Sequence, residues 1–236
     1  MINAKPSHIT ILGFGSLLSE RSSRTTFPSL ENFRLGRVIN HRRVFCHPAS
    51  IFFQRNIAKL DTLEISSLSV EYKEGYSMIC SVFEVPNEGL AVDAAGVDSF
   101  VPSQKFLERE EEFEITKVDY EELSGDQEIK QGIICRRSTD EAYTTRWGQT
   151  RFTQNYLDYG IKTIWGWNEE SGIRPCPVYL RHCVLAARNC GELCYNSFLD
   201  DTYLVDRCTT IRDYLKEHPE VMETEPPANL KERYGG

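Results

Sequence analysis

The chain reads as a single α+β domain, and three observations lead there. Strand-like segments crowd the stretch before residue 137, and helix-like segments take over from Gln149. No proline- and glycine-rich linker separates the two parts, and no internal repeat is visible. With 40% hydrophobic residues among 236, the chain holds enough apolar material for a sizeable core. Residues 1–236 are therefore read as one domain, with 149–218 a helical extension and 219–236 a polar, proline-bearing tail expected to be loosely held.

The elements follow in order. "HITILGF" (8–14) is a strand by its β-branched content and partial alternation. "SSRTTFPSLENF" (22–33) is a polar connection with room for a short helical turn, and "RLGRVINHRRVF" (34–45) alternates as a second strand. Residues 60–76 look irregular and polar. "SMICSVFEVP" (77–86) is a strand stopped by Pro86. "SQKFLEREEE" (103–112) has helical spacing with Ser103 as its N-cap. "FEITKVDY" (113–120) and "KQGIICRR" (130–137) form an antiparallel pair around the turn-rich "ELSGDQE". Beyond Gln149, residues 150–167, 175–189, 196–205 and 209–218 read as helices, with Pro175 and Pro177 suited to opening the second.

Composition excludes several function classes. The net charge of −8 argues against nucleic acid as a partner, and no apolar run reaches the roughly 18 residues of a membrane span. The start "MINAKPSHITILGF" has one lysine, a short apolar stretch and no cleavage pattern, so no signal peptide is expected. Eight cysteines spread singly through a mid-sized chain fit reduced, buried thiols in a cytoplasmic compartment better than a disulfide scaffold. The C-x3-C pair Cys190 and Cys194 is not repeated at tighter spacing, so no metal is expected. Charge is uneven: residues 1–59 carry +7 and the remainder −15. Either solvated faces happen to segregate, or the N-terminal region presents a positive field to an anionic ligand.

The stretch "ITILGFGSLLSE" places Gly13 and Gly15 at the exit of the first strand. It lacks the third glycine of a dinucleotide loop, the lysine of a Walker loop and the G-x-S-x-G of a nucleophile elbow. Cys46 and His47 are adjacent on a strand, where neighbours point to opposite faces, so they make a poor catalytic pair. Two readings of the glycine turn stay open. It is an ordinary tight turn, or its N–H groups at Gly15, Ser16 and Leu17 form a nest for a carboxylate or oxyanion.

"KFLEREEEFE" holds a second signal. At about 100° per residue, with Glu110 at zero, Phe106 falls near about −40°, Leu107 near about +60° and Phe113 near about −60°. Glu110 then shares the apolar face, while Glu108 and Glu112 point away and the run reads otherwise as a solvated acidic helix. A carboxylate facing a core needs a raised pKa or a specific partner. The first describes a general acid/base; the second, a structural pair with an arginine such as Arg43.

Together these segments resemble the γ-glutamylcyclotransferase-like superfamily, which includes the ChaC-type proteins. Phe14-Gly15-Ser16-Leu17 matches the family's Y-G-S-[LN] loop after the first strand, with phenylalanine at the tyrosine position. "HRRVF" (41–45) matches a segment ending in R-R-x-F, and "VFEVP" precedes "FLERE", which matches an L-x-x-R-E helix start. The match spans roughly residues 9 to 120 and leaves the helical part unaccounted for. The resemblance implies a small mixed β-barrel with flanking helices and a pocket at its mouth. It implies a cofactor-free reaction in which a small γ-glutamyl compound closes to 5-oxoproline and expels an amine or amino acid. It assigns catalysis to Glu110, with Glu111 nominated if the register shifts by one. Substrate binding falls to Phe14, Gly15, Ser16 and Leu17. A non-catalytic protein that keeps the barrel and docks a partner through the pocket or the C-terminal helices is the alternative.

Overall fold

The computed structural model describes residues 8–86, 90–92, 98–100, 104–124 and 128–235. Ser103, the segment before His8 and the middle of the 122–128 turn lie outside them. Five strands carry the architecture: β1 (His8–Gly13), β2 (Glu31–Pro48), β3 (Glu64–Pro86), β6 (Glu114–Glu122) and β7 (Ile129–Arg136). They pair in the order β3-β1-β7-β6-β2, and β2 pairs again with β3, closing a five-stranded barrel. The pairing of β1 with β7 is parallel, through Ile11 and Ile133, and the others are antiparallel, so the barrel is mixed. Among the described residues, two short strands, β4 (Leu90–Val92) and β5 (Asp98–Phe100), pair only with each other. Two-residue strands β8 (Arg174–Pro175) and β9 (Thr202–Tyr203) sit on the outer edges of β3 and β2.

Closure depends on β2 and β3, which are 18 and 23 residues long and pair along most of that length. Strands this long must bend to wrap a small barrel. Asn32 and Asn40 adopt left-handed backbone, φ 54° and 55°, where the β2–β3 register breaks between Glu31 and Arg34 and between Ile39 and His41. Asparagine enters that region more readily than other side chains, and each bulge turns the strand. The barrel is buried on both faces at β1, where Leu12 joins the main core and its neighbour Ile11 packs with Leu30, Phe83, Val85 and Ile133. That two-sided burial explains why "HITILGF" alternates only partly.

The α+β organisation matches the expectation, and several local readings are corrected: within 196–205, read as one helix, the helix ends at Asp200 and Thr202–Tyr203 is the strand β9. Residues 64–76, read as irregular, form the first half of β3. Their serines hid the strand: Ser66, Ser67 and Ser69 are buried, and Ser69 Oγ donates to the Val44 carbonyl at 3.3 Å, which meets its polarity inside the sheet. The helix α3 (Gln104–Arg109) stops before the acidic run is finished. Residues 150–167 are helical only in α5 (Gln149–Asn155), followed by a tight turn at Leu157–Tyr159 and a stretch without regular structure.

Short helices α1 (Glu20–Thr26) and α2 (Ser50–Gln54) cover the barrel mouth. Helices α4 (Asp140–Trp147), α5, α6 (Pro177–Asn189), α7 (Glu192–Asp200) and α8 (Ile211–Glu217) form the C-terminal layer. Pro177 occupies the first turn of α6, where its missing N–H costs nothing. Residues 219–235, expected to be loose, are instead anchored. Val221 and Tyr234 are buried at 2% and 3% exposure, and α9 (Lys231–Tyr234) folds back onto α6. Arg55 donates to the Tyr234 hydroxyl at 3.1 Å, and His182 meets the Tyr234 ring edge-on at 5.7 Å. Two apolar anchors suffice to hold a segment whose average composition is polar. Tyr234→Ala is expected to lower the unfolding free energy by about 2–4 kcal/mol in urea titration; an unchanged midpoint would show that the segment adds nothing to the core.

Candidate active site

The turn that follows β1 is tightly built. Leu18 N–H donates to the Gly15 carbonyl at 2.9 Å, opening a single 3-10 turn at Ser16–Leu18. A Cβ on Gly13 would lie 2.4 Å from Ser81 Oγ and 2.6 Å from Leu17 Cβ, and one on Gly15 would lie 2.7 Å from the Tyr179 hydroxyl. Both glycines are thus required by close protein packing. Ser81 and Ser23 hydroxyls both donate to the Leu17 carbonyl, at 2.8 and 2.9 Å, and pin the turn. The N–H groups of Gly15, Ser16 and Leu17 precede the first turn bond and take no acceptor in the hydrogen bonds of the described residues. Phe14 is buried, with its ring 6.5 Å from that of Phe113 in an edge contact.

The acidic run follows a different course from a solvated helix. Glu110 sits in the turn that ends α3: its N–H donates to Phe106 O, and Phe113 N–H donates to Glu110 O, both at 3.0 Å. Phe106 and Phe113 are buried, as the helical wheel requires, and the Glu110 side chain is 14% exposed. Its partner is Arg109, whose Nε lies 2.8 Å from Oε1. Arg43 is not that partner. It is fully buried and donates to Ile79 O and to the carbonyl and hydroxyl of Ser197.

Glu111 and Glu112 are also buried, because the chain leaves the helix before them and the wheel no longer governs their direction. Glu111 is consumed by structure: Ser50 Oγ and Asn155 Nδ2 donate to Oε1, and Arg151 pairs with Oε2. Glu112 Oε1 accepts from the Tyr156 hydroxyl at 2.7 Å and from Ser50 N–H at 3.2 Å. Trp147 and Trp165 indoles donate to the Glu111 and Glu112 carbonyls, and Arg146 to that of Phe113. The C-terminal layer therefore clamps this turn from one side. Burial, and next the charge of Glu111, push the Glu112 carboxyl up from 4.5 to about 7.

One cavity of about 510 Å³ joins these parts. Phe14, Gly15, Ser16, Leu17, Glu110 and Glu112 all line it, whereas Glu111 does not. The barrel has thus brought together two segments that are over ninety residues apart in the sequence. The sequence reading missed several further lining groups. Tyr179 of α6 reaches the turn at Gly15, and burial raises its hydroxyl pKa well above the usual phenol range. His182, one turn further, is lowered to about 4 by burial and then by Arg233. Arg55, Arg233 and Tyr234 also line the cavity, from α2's end and the C-terminal segment. Only the tyrosine and histidine side chains in "PVYLRHC" could have signalled chemistry, and their distance along the chain hid where they point.

Among the described residues, no three His, Cys, Asp or Glu side chains gather as a metal set, and no helix is long and apolar enough to cross a membrane. All eight cysteines are free thiols, and only Cys208 is fully exposed.

No protein-family model and no curated protein sequence matches this chain. Among solved structures, it is similar to an uncharacterised human protein, with 9% identity, 94% of this chain and 90% of that chain covered, and a TM-score of 0.45. It is similar to a γ-glutamyl cyclotransferase specific to glutathione from yeast, with 12% identity, 92% and 96% covered, and a TM-score of 0.43. A further γ-glutamyl cyclotransferase shows 10% identity, 72% and 89% covered, and a TM-score of 0.37. The chemistry below rests on this chain's own residues.

The pKa of Glu112 makes stability depend on pH. A carboxyl held near 7 when folded and near 4.5 when unfolded stabilises the fold fully below about pH 4.5, and this contribution is lost as pH rises through about 7. Glu112→Gln keeps an oxygen acceptor for Tyr156 and Ser50 and never ionises. Its stability relative to the parent protein is expected to improve between pH 4.5 and 7, by on the order of 3 kcal/mol. Urea unfolding at pH 5 and pH 8 reads this directly, and a pH-independent difference would place Glu112 in its ordinary titration range.

Proposed function

We propose that this protein is a γ-glutamylcyclotransferase: it acts on a small γ-glutamyl compound and releases 5-oxoproline with an amine or amino acid. The observation that carries the reading is the shared cavity, lined by Glu110 and by Gly15, Ser16 and Leu17, whose N–H groups take no acceptor among the described residues. The N–H groups would receive the substrate's α-carboxylate, as oriented backbone amides favour an anion. This holds the α-amine against the γ-carbonyl of the same molecule, in an intramolecular geometry that removes much of the entropic barrier.

The α-amine, with a reference pKa of about 8, must lose a proton as its nitrogen bonds to the γ-carbon. Glu110 takes that proton and returns it to the leaving nitrogen as the old C–N bond breaks. The step balances without an added cofactor. Glu110 suits the role better than its neighbours: Glu111 is tied to Ser50, Asn155 and Arg151, and Glu112 has one oxygen committed to Tyr156 and Ser50. Arg109 orients the Glu110 carboxyl through its Nε.

That same Arg109 pair is what favours the second reading, a binding protein with no turnover, because it gives Glu110 a structural partner. The two separate in one assay. Purified protein incubated with glutathione, γ-glutamyl-alanine and γ-glutamyl-ε-lysine is expected to release 5-oxoproline from at least one. Glu110→Gln is expected to lower kcat by at least about a thousandfold with the fold intact. Loss of activity in Glu112→Gln but not in Glu110→Gln would transfer the acid/base role to Glu112. No release from any compound would leave the binding protein.

A further inference from the structure

Four arginines line the cavity: Arg21, Arg55, Arg109 and Arg233. Two of them have carboxylate partners. Arg109 pairs with Glu110 at 2.8 Å, and Arg21 meets Glu232 at 3.8 Å across the rim. Arg55 and Arg233 have no carboxylate within ion-pair distance among the described residues. Both are gathered on Tyr234 instead. Arg55 donates to its hydroxyl at 3.1 Å, and the two guanidinium carbons lie 5.9 and 5.8 Å from its ring centroid. Partial burial of its guanidinium, and then the positive charges of Arg55 and Arg109, lower the pKa of the otherwise exposed Arg233, so the three cations feel one another.

Like charges drawn onto a concave wall repel unless something negative sits between them. Surface arginines that merely seek water would spread apart. Here the buried Tyr234 ring holds two of them beside the cavity, and the docking of the C-terminal segment is what brings Arg233 there. A guanidinium is a planar fork that matches a carboxylate, and a pair of forks selects for that group.

We propose that Arg55 and Arg233 form a second anion subsite, which receives a carboxylate on the leaving group of the substrate. This rests on the cyclotransferase reading, in which the first carboxylate occupies the Gly15–Leu17 turn. It sets the substrate class: γ-glutamyl amino acids or peptides that end in a free carboxylate, in preference to γ-glutamyl amines. The subsite is completed by residues that lie more than a hundred positions beyond the motif-bearing part of the chain. It gives the C-terminal segment a role in specificity.

The test compares γ-glutamyl-alanine with its carboxamide, γ-glutamyl-alaninamide, which differs only in the second carboxylate. Binding is measured by titration calorimetry on the full chain, and 5-oxoproline release is followed in parallel. The carboxylate form is expected to bind at least about tenfold more tightly, the scale of one charged hydrogen-bonded contact. Arg233→Met is expected to bring that ratio close to one, with Arg233→Lys restoring part of it. Arg233 is solvent-exposed as a residue, so neither substitution threatens the fold; Arg55→Met gives a second reading of the same ratio. Equal binding of the two compounds by the parent protein, or a ratio untouched by both methionine variants, overturns the subsite. Carboxylate-selective binding without 5-oxoproline release overturns the cyclotransferase and leaves the subsite standing. Release from both compounds with no preference does the opposite.

Discussion

The pairing of β2 with β3 is the constraint on which the rest of the molecule depends. Each of these strands also holds another partner, β6 for β2 and β1 for β3, so their mutual pairing turns an open five-stranded sheet into a barrel. Closure removes the sheet's free edges and fixes which strand ends share a mouth. It sets the exit of β1 beside the turn before β6. The asparagine bulges in β2 supply the bend, and the buried serines of β3 let a polar-looking segment run through the interior, with the Ser69 hydroxyl engaged by the Val44 carbonyl.

The mouth then has to hold an acidic turn in an apolar setting. Three successive glutamates are withdrawn from water, and each meets the cost differently. Glu111 is neutralised by Arg151, Glu110 is held by Arg109, and Glu112 has neutral donors and an elevated pKa. A buried carboxylate without such compensation would be driven to protonate or to leave the core. The compensation comes largely from the C-terminal layer. Trp147, Arg151, Asn155, Tyr156 and Trp165 all contact this turn, so the helical portion braces the acidic turn without lining the cavity at these positions.

Positive charge also lines the cavity. The N-terminal excess of basic residues, evident from composition, is realised in the cavity by Arg21 and Arg55, and the C-terminal segment adds Arg233 from a region that is acidic on average. The cavity lining mixes carboxylates, guanidiniums and apolar groups such as Phe14, Phe52 and Leu230, a combination that suits a zwitterionic ligand.

By itself, the sequence determined the α+β class, the strand that leads into a glycine turn, and the apolar positions of Phe106 and Phe113 beside Glu110. Each rests on local physics: β-branched alternation, glycines at the strand exit, and helical spacing of the two phenylalanines around one carboxylate. Tertiary structure decided the rest. Helix termination at Arg109 sent Glu111 and Glu112 inward, which no helical wheel can register because a wheel assumes the helix continues. The strand at residues 64–76 was hidden because serine signals polarity in the sequence, while its hydroxyl can be satisfied inside a sheet. The tail was misjudged because average composition does not show that two residues, Val221 and Tyr234, find buried sites. The cavity itself, with Tyr179 beside the turn of Gly15 and Arg233 in its lining, depends on contacts between positions more than a hundred residues apart. Chain closure sets those contacts, and local preference carries no record of them.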